Sequence, residues 1–330
     1  MSLLNLFGTM FITSCSLVAL TPFAGRVGLL DVPVPGSRKC HGVPTPLVGG
    51  LGIWLGIVVT SFLLPSVLAS YDELLLISTL VLFIGMLDDV RELGAGVRIL
   101  AHCVAVGLMI VVADNAILSL GDLLFSGPIE LGILAAPVTV VATVGVINAV
   151  NMTDGVDGLS GGLVVICLFF LGVVSALGGD LPLLQFTTIV LCAVLAFLFL
   201  NFRLPWKQSA LVYLGDAGST LLGFMLVWLF IEATQGHEAL MSPVIALWFL
   251  AIPLMDTVRL LRRSPSCAGT DHLHHRLLAA GYSQGQIVFG LYFAAFAMGA
   301  VGLAGHLLGV PEGVMFLLFI SLFAAYMRWH

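Results

Sequence analysis

Charge is what this chain has least of. Only 9% of its 330 residues are Asp, Glu, Lys or Arg, while 60% are hydrophobic and the mean hydropathy is +1.14. A soluble domain carries about 25% charged residues, and 12 basic plus 18 acidic side chains cannot cover 34.9 kDa of protein in water. Soluble, disordered and nucleic-acid-binding classes are therefore excluded. The net charge of −6 and pI near 5.7 also argue against a nucleic-acid partner. Cysteine is sparse too. The six, at Cys15, Cys40, Cys103, Cys167, Cys192 and Cys267, form no CxxC and no regular spacing, so neither a disulfide framework nor a thiolate metal site is expected. They read as unpaired core and loop cysteines. No internal repeat and no low-complexity tract is present, and the longest polar stretch, 259–284, is too short to fold alone. Residues 1–330 are read as a single integral-membrane domain. Its apolar runs are continuous rather than alternating, which excludes a membrane barrel and predicts an all-α polytopic protein.

A span needs about 20 apolar residues. Such runs fall near 4–24, 47–69, 72–88, 97–113, 131–148, 159–179, 183–200, 216–233, 242–258, 285–305 and 313–327, so eleven spans are expected, or ten if a short one is lost. The first run has no basic residue before it and Arg26 after it, the pattern of a retained anchor. With the N-terminus outside, segments 25–46, 89–96, 149–158, 201–215 and 259–284 share one side. All 12 Lys and Arg lie in them, at their margins or after the last span. The opposite segments hold Asp72, Glu73, Asp114, Asp122, Glu130, Asp180, Glu238 and Glu312 and no basic residue. The positive-inside rule then predicts a bacterial cytoplasmic (inner) membrane protein with its C-terminus inside. On the outer side, Ser119–Leu131 fits either a small hairpin or an interfacial segment.

The remaining polar residues gather in the inner segments, many at span ends, where an ionised carboxylate is costly without a partner or metal. Chemistry is thus expected at the inner membrane surface. Asp88-Asp89 closes one apolar run. Helical neighbours diverge by about 100°, so both serve one cleft only where the helix frays; otherwise one caps or faces solvent. In Asn148-Ala-Val-Asn151-Met-Thr-Asp154-Gly-Val-Asp157-Gly, amides and carboxylates recur every third residue. Hard oxygen ligands of this kind suit Mg²⁺ carrying phosphates, the plainer alternative being a pair of helix caps. Gly215-Asp216-Ala-Gly218-Ser219-Thr220 opens a span. Asp216 there is either an N-cap or a metal ligand beside free amides that receive an anion. Tyr213 stacks on a base or anchors at the interface. Asp271-His272-Leu-His274-His275-Arg276 lies near Arg259, Arg262 and Arg263. It fits Zn²⁺, a lipid-facing basic loop or, favoured by the carboxylates elsewhere, binding of a diphosphate. Asp31, followed by Arg38-Lys39-Cys-His41, forms a basic loop with an acid before it.

In this order the motifs resemble the polyprenyl-phosphate N-acetylhexosamine-1-phosphate transferases, from Asp31 to Arg276. The carriers are Asp31-x-Pro with Arg38-Lys39-x-His41 and Gly49-Gly50, then Asp88-Asp89, the Asn148–Gly158 motif, Asn201, Gly215-Asp216-x-Gly218-Ser219, and His272-x-His274-His275-Arg276. The histidine loop looks like the branch that begins O-antigen, common-antigen or teichoic-acid synthesis. The peptidoglycan branch, the phospho-N-acetylmuramoyl-pentapeptide transferases, has a different one and usually ten spans. The resemblance implies transfer of an N-acetylhexosamine-1-phosphate, GlcNAc first, from a UDP-sugar to undecaprenyl phosphate with release of UMP. It implies Mg²⁺, with Mn²⁺ as a substitute, held by Asp216 with Asn151 or Asp154. Asp88 or Asp89 would orient or deprotonate the lipid phosphate, and Asp157 and Tyr213 would hold the uracil. His274, His275 and Arg276 would clamp the diphosphate, with Lys39 guiding either phosphate. Asp31, Arg38, His41, Asn148, Asn201 and His272 are expected to bind substrate. Direct attack by the lipid phosphate and a covalent aspartyl intermediate both stay open, and a homodimer is compatible with the sequence. A secondary transporter would also be polytopic, but it places polar residues at the midplane within inverted repeats, and neither feature is found.

Overall fold

A computed structural model describes residues 3–32, 43–202, 209–236, 238–261 and 272–329. The chain is an all-α polytopic membrane protein, and the expected apolar runs coincide with helices. Helix α1 (Leu3–Leu20) leads through a short α2 (Ala24–Val27) to a two-stranded antiparallel ribbon, β1 (Leu30–Asp31) against β2 (Thr45–Pro46). Then come α3 (Gly49–Leu63), α4 (Pro65–Arg91), α5 (Ala95–Val112), α6 (Ala135–Met152), α7 (Leu159–Gly178), α8 (Leu181–Asn201) and α9 (Gly215–Thr234). The chain ends in α10 (Pro243–Phe249), α11 (Ala251–Leu261), α12 (Leu273–Ala279), α13 (Gln284–Leu307) and α14 (Glu312–Trp329). Among the described residues, eight helical stretches are long and apolar enough to cross a membrane, nine if α10 and α11 form one bent span; α3, at 15 residues, and α14 lie outside that set.

Local chemistry explains the boundaries. The run expected at 47–69 stops at Leu63 because Pro65 starts a new helix, where a missing N–H costs nothing. Asp180 caps α8 by accepting from Leu183 N at 2.9 Å, and Ser283 with Gln286 forms a capping box on α13. The run expected as one span at 242–258 is bent by 80° between α10 and α11. Pro253 has no N–H for the Phe249 carbonyl four residues back, and the Cys167 thiol donates to that carbonyl instead, at 3.1 Å. The four described cysteines Cys15, Cys103, Cys167 and Cys192 are all free, as the absence of pairing motifs predicts.

Helix α9 is the axis of the bundle. Of its 20 residues only Asp216 and Glu232 are not buried, and its most extensive packing is against α4 and α6. At its C-terminal end Gln235 accepts from the amides of Leu118 and Ser119 and donates to Ser119 O, holding a hairpin closed by a Ser119–Glu130 bridge. The stretch left open between hairpin and interfacial segment is therefore a hairpin. Every motif below gathers at the other end of α9.

Candidate active site

Three chain segments meet at the first turn of α9, and a fourth packs on the turn that follows one of them. From one side comes the backbone of Gly49 and Gly50: their amides donate to Tyr213 O and Leu214 O at 2.9 and 3.0 Å, and a Cβ on Gly50 would overlap Gly218. The ribbon joins the same segment, since Tyr213 N donates to Pro46 O at 2.8 Å, one register position from Thr45, the partner of Asp31. Asp31 and Tyr213 are thus linked through backbone.

Helix α4 arrives from a second side. Gly85 lets it approach so closely that a Cβ there would overlap Ala217, and one turn later Asp89 accepts from Asp216 N at 2.8 Å and Ala217 N at 3.1 Å. These two amides are therefore engaged rather than open to an anion. Asp88, buried, accepts from Leu93 N at 2.7 Å and pairs with Arg98 at 2.9 Å. The same guanidinium nitrogen lies 3.9 Å from Asp216 Oδ2. In the sequence Arg98 speaks only to membrane orientation; its place ten residues after Asp88, at the start of the next span, is the available signal.

The end of α6 and the turn after it form the third side. Asn151 donates to Asp216 Oδ1 at 2.7 Å and to Ser219 Oγ at 2.9 Å. Asn148, one turn earlier, donates to its own helix at Val144 O, 2.7 Å away. Asn201 is buried and divides its amide between Gly158 N (2.6 Å) and Val212 O (2.9 Å). The Tyr292 hydroxyl donates to Gly158 O. Asn201 thus ties the Asp154–Gly158 turn to the strand-like approach of α9 through backbone groups. Asp154 itself is exposed in that turn. Surrounding protein and the charges of Asp216, Asp89 and Asp157 push its carboxyl well above the ordinary range. With the side chain open to solvent, the three neighbouring carboxylates carry this direction more than burial does.

The histidines supply the fourth side. Asp256, buried in α11, accepts from Arg259 Nη2 at 3.1 Å and from Leu273 N at 3.1 Å, and sits 3.4 Å from His272 Nδ1. It thereby fixes the start of α12. The rings of His272 and His274 stack at 5.4 Å, and His275 lies 4.3 Å from His274. A Cβ on Gly155 would overlap His274 Nε2, so the histidine helix lies directly on the Asp154 turn. Burial, then the positive charges of His275 and His272, lower the pKa of His274 to about 3, leaving a neutral imidazole at pH 7. Asp256 belongs to none of the sequence motifs; its place near a span end, three residues before Arg259, is the available signal.

The structure thus brings together Asp88, Asp89, Asn151, Asp154, Asp157, Asp216, His272, His274 and His275, with Arg276 on the same helix. Arg38, Lys39 and His41, like Asp271, Arg262 and Arg263, lie outside the described residues. Among the described residues no group of three or more His, Cys, Asp or Glu side chains could hold a metal ion unaided. The oxygen donors nonetheless fit Mg²⁺, which keeps several waters and is usually bound by one or two carboxylates plus substrate phosphates. Asp154 is open to solvent and repelled by three like charges, an environment that a divalent ion relieves.

Residues 73–234 match the sequence profile of glycosyl transferase family 4. A protein from Escherichia coli named undecaprenyl-phosphate alpha-N-acetylglucosaminyl 1-phosphate transferase is 35% identical over 330 residues, covering 98% of this chain and 89% of its own length. The chain belongs to glycosyl transferase family 4. Proteins of the same name from Salmonella typhi (34% identical, 97% of this chain and 87% of the relative) and Haemophilus influenzae (32%, 98% and 92%) show the same near-complete coverage. Membership accords with the resemblance drawn from the motifs, and this family member is a membrane-embedded bacterial protein. The family profile contains Asp88, Asp89, Asn151, Asp154 and Asp216, the part of the site built on α4, α6 and α9, and stops before the histidine helix.

Proposed function

We propose that this protein transfers N-acetylglucosamine-1-phosphate from UDP-GlcNAc to undecaprenyl phosphate, releasing UMP and forming the first lipid-linked sugar of a cell-surface polysaccharide. The observation that carries the reading is the Asn151–Asp216 pair beside the exposed Asp154, an acidic pocket with cationic and imidazole groups on its rim. It is supported by the name of relatives that align over nearly the whole chain. The Lys and Arg asymmetry supports an inner-membrane protein with this pocket facing the cytoplasm, where a water-soluble donor and a lipid acceptor can meet.

In this reading a phosphate oxygen of the lipid attacks the β-phosphorus of the donor. A new P–O bond forms, the bond from that phosphorus to the bridging oxygen breaks, and UMP leaves with the bridging oxygen and its electron pair. The second pKa of a phosphate is near 6, so at pH 7 the nucleophile is largely deprotonated without a strong base. Asp216 and Asp154, with Asn151, would hold Mg²⁺, which when bound neutralises diphosphate charge. Asn151 orients Asp216 through its amide. His275 and Arg276 contact the diphosphate, while neutral His274 packs the histidine helix onto Gly155 and fixes their height over the turn. Catalysis here is positioning and charge neutralisation.

The test is purified protein with undecaprenyl phosphate, Mg²⁺ and a panel of UDP-sugars, scoring labelled lipid. GlcNAc-1-phosphate transfer that collapses in Asp216→Asn is expected; failure of every donor with the wild-type protein, or an Asp216→Asn variant as fast as wild type, would sink the reading.

A further inference from the structure

Helix α9 begins without a cap of its own. Its N-cap position is Leu214, which has no polar side chain, and no cap hydrogen bond is made there by the local sequence. The first amides of a helix have no intrahelical partner, and here they lie in protein, not water. Asp89, 127 residues earlier, answers that need: each carboxylate oxygen accepts one of the two amides, Oδ1 from Asp216 and Oδ2 from Ala217. The surroundings are shaped to the carboxylate. Gly215 has φ +74°, and a Cβ there would stand 2.7 Å from Asp89 Oδ2. Gly85, one turn before Asp89 on the same face of α4, lets the two backbones touch at Ala217.

We propose that Asp89 is a positioning residue: it caps α9 from a neighbouring helix and so fixes the place of Asp216, and it is neither an ion ligand nor a proton acceptor. The adjacent acidic pair is then divided in use, Asp88 gripping Arg98 and the Leu93 amide while Asp89 holds the helix that carries the functional carboxylate. The proposal rests on the reading of Asp216 given above.

Two substitutions separate a cap from a ligand or base. Asparagine keeps an acceptor for one of the two amides and sets an NH2 group against the other; it cannot take a proton and binds Mg²⁺ poorly. Glutamate keeps the carboxylate and carries one methylene too many for a turn as tight as that at Gly215. With rates normalised to folded protein, Asp89→Asn, which loses one of the two cap bonds, is expected to fall by about tenfold with an unchanged half-saturating Mg²⁺ concentration. Asp89→Glu is expected to fall about a hundredfold. The reverse order, or a shift of the Mg²⁺ requirement in Asp89→Asn, overturns the proposal. Hydrogen–deuterium exchange on the wild-type protein tests it without any variant: the amides of Asp216 and Ala217 should stay protected with and without Mg²⁺ and UDP-GlcNAc. Deprotection on adding them would mean that the carboxylate leaves the cap for the ion. Wild-type activity and its loss in Asp216→Asn are measured in parallel, so a failure of the underlying reading is distinguished from a failure of the cap.

Discussion

Asn151 and Asp216 lie 65 residues apart in sequence and 2.7 Å apart in space, with the amide of the first donating to Oδ1 of the second. The bond decides which way Asp216 faces, because the same amide is fastened to Ser219 Oγ one turn further along α9. Hydrogen bonds to charged groups contribute roughly 1.5–3 kcal/mol, a factor of roughly ten to a hundred. Asn151→Ala is therefore expected to lower kcat by about that factor in the lipid-transfer assay. A rate within twofold of wild type would show that Asp216 needs no such partner.

The Arg98–Asp88 pair makes a different demand. Asp88 is 4% exposed at its side chain and Arg98 38%. Removing one partner of a buried pair leaves an uncompensated charge, typically costing roughly 3–5 kcal/mol. Because Arg98 is partly solvated, the expected loss for Arg98→Ala is smaller, about 1–3 kcal/mol. Thermal unfolding in detergent measures it, and Asp88→Asn in the Arg98→Ala background should recover part of the loss. Absence of any recovery would mean that the two residues act independently.

Acid should destabilise the protein through His274. Its pKa falls from the ordinary 6.5 to about 3 in the fold, mainly by burial and then by the charges of His275 and His272. Between these values the unfolded chain binds a proton that the folded one refuses, so stability falls as pH drops from about 6.5 toward 3 and is unaffected above 6.5. Asp154 acts with the opposite sign: its pKa is raised, and the folded form holds the extra proton above the ordinary carboxylate value. The whole curve therefore mixes these with other titrating groups, and comparison with His274→Gln isolates one. Melting temperature measured from pH 7 to 4.5 should fall less steeply in the variant. An equal slope would mean that His274 does not contribute to the acid sensitivity.

Much of this was legible in the chain before folding. Continuous apolar runs give helices because a helix satisfies its backbone polar groups within one segment in lipid, and motifs at span ends converge because the spans return them to the same surface. What stayed hidden depends on partners distant in sequence. Nothing adjacent to Asp89 says that it caps a helix beginning 126 residues later, and Asp216, which looks like a local N-cap, is one of the residues being capped. The resemblance implies that Asn201 binds substrate, yet both ends of its amide go to backbone. Arg98 was absorbed into the charge asymmetry, which accounts for any inner basic residue equally well. The bend at Leu250 follows from Pro253, but a proline inside a run of suitable length does not show by itself whether the helix kinks or turns away.

Gly155 tests the contact that joins the two halves of the site. It lies between Asp154 and the histidine helix, and a methyl group there would occupy the space of His274 Nε2. His274 is 2% exposed and cannot swing into solvent, so α12 must move as a body or the turn must. A misplacement of about 1 Å at a catalytic group costs about a hundredfold in rate. Gly155→Ala is accordingly expected to lower kcat/KM by about two orders of magnitude. Gly290→Ala, where an added Cβ meets nothing within 4 Å, serves as the control and should leave the rate unchanged. If the two variants transfer sugar phosphate equally well, the histidine helix does not depend on the Asp154 turn for its position, and the shared-pocket geometry loses its main mechanical link.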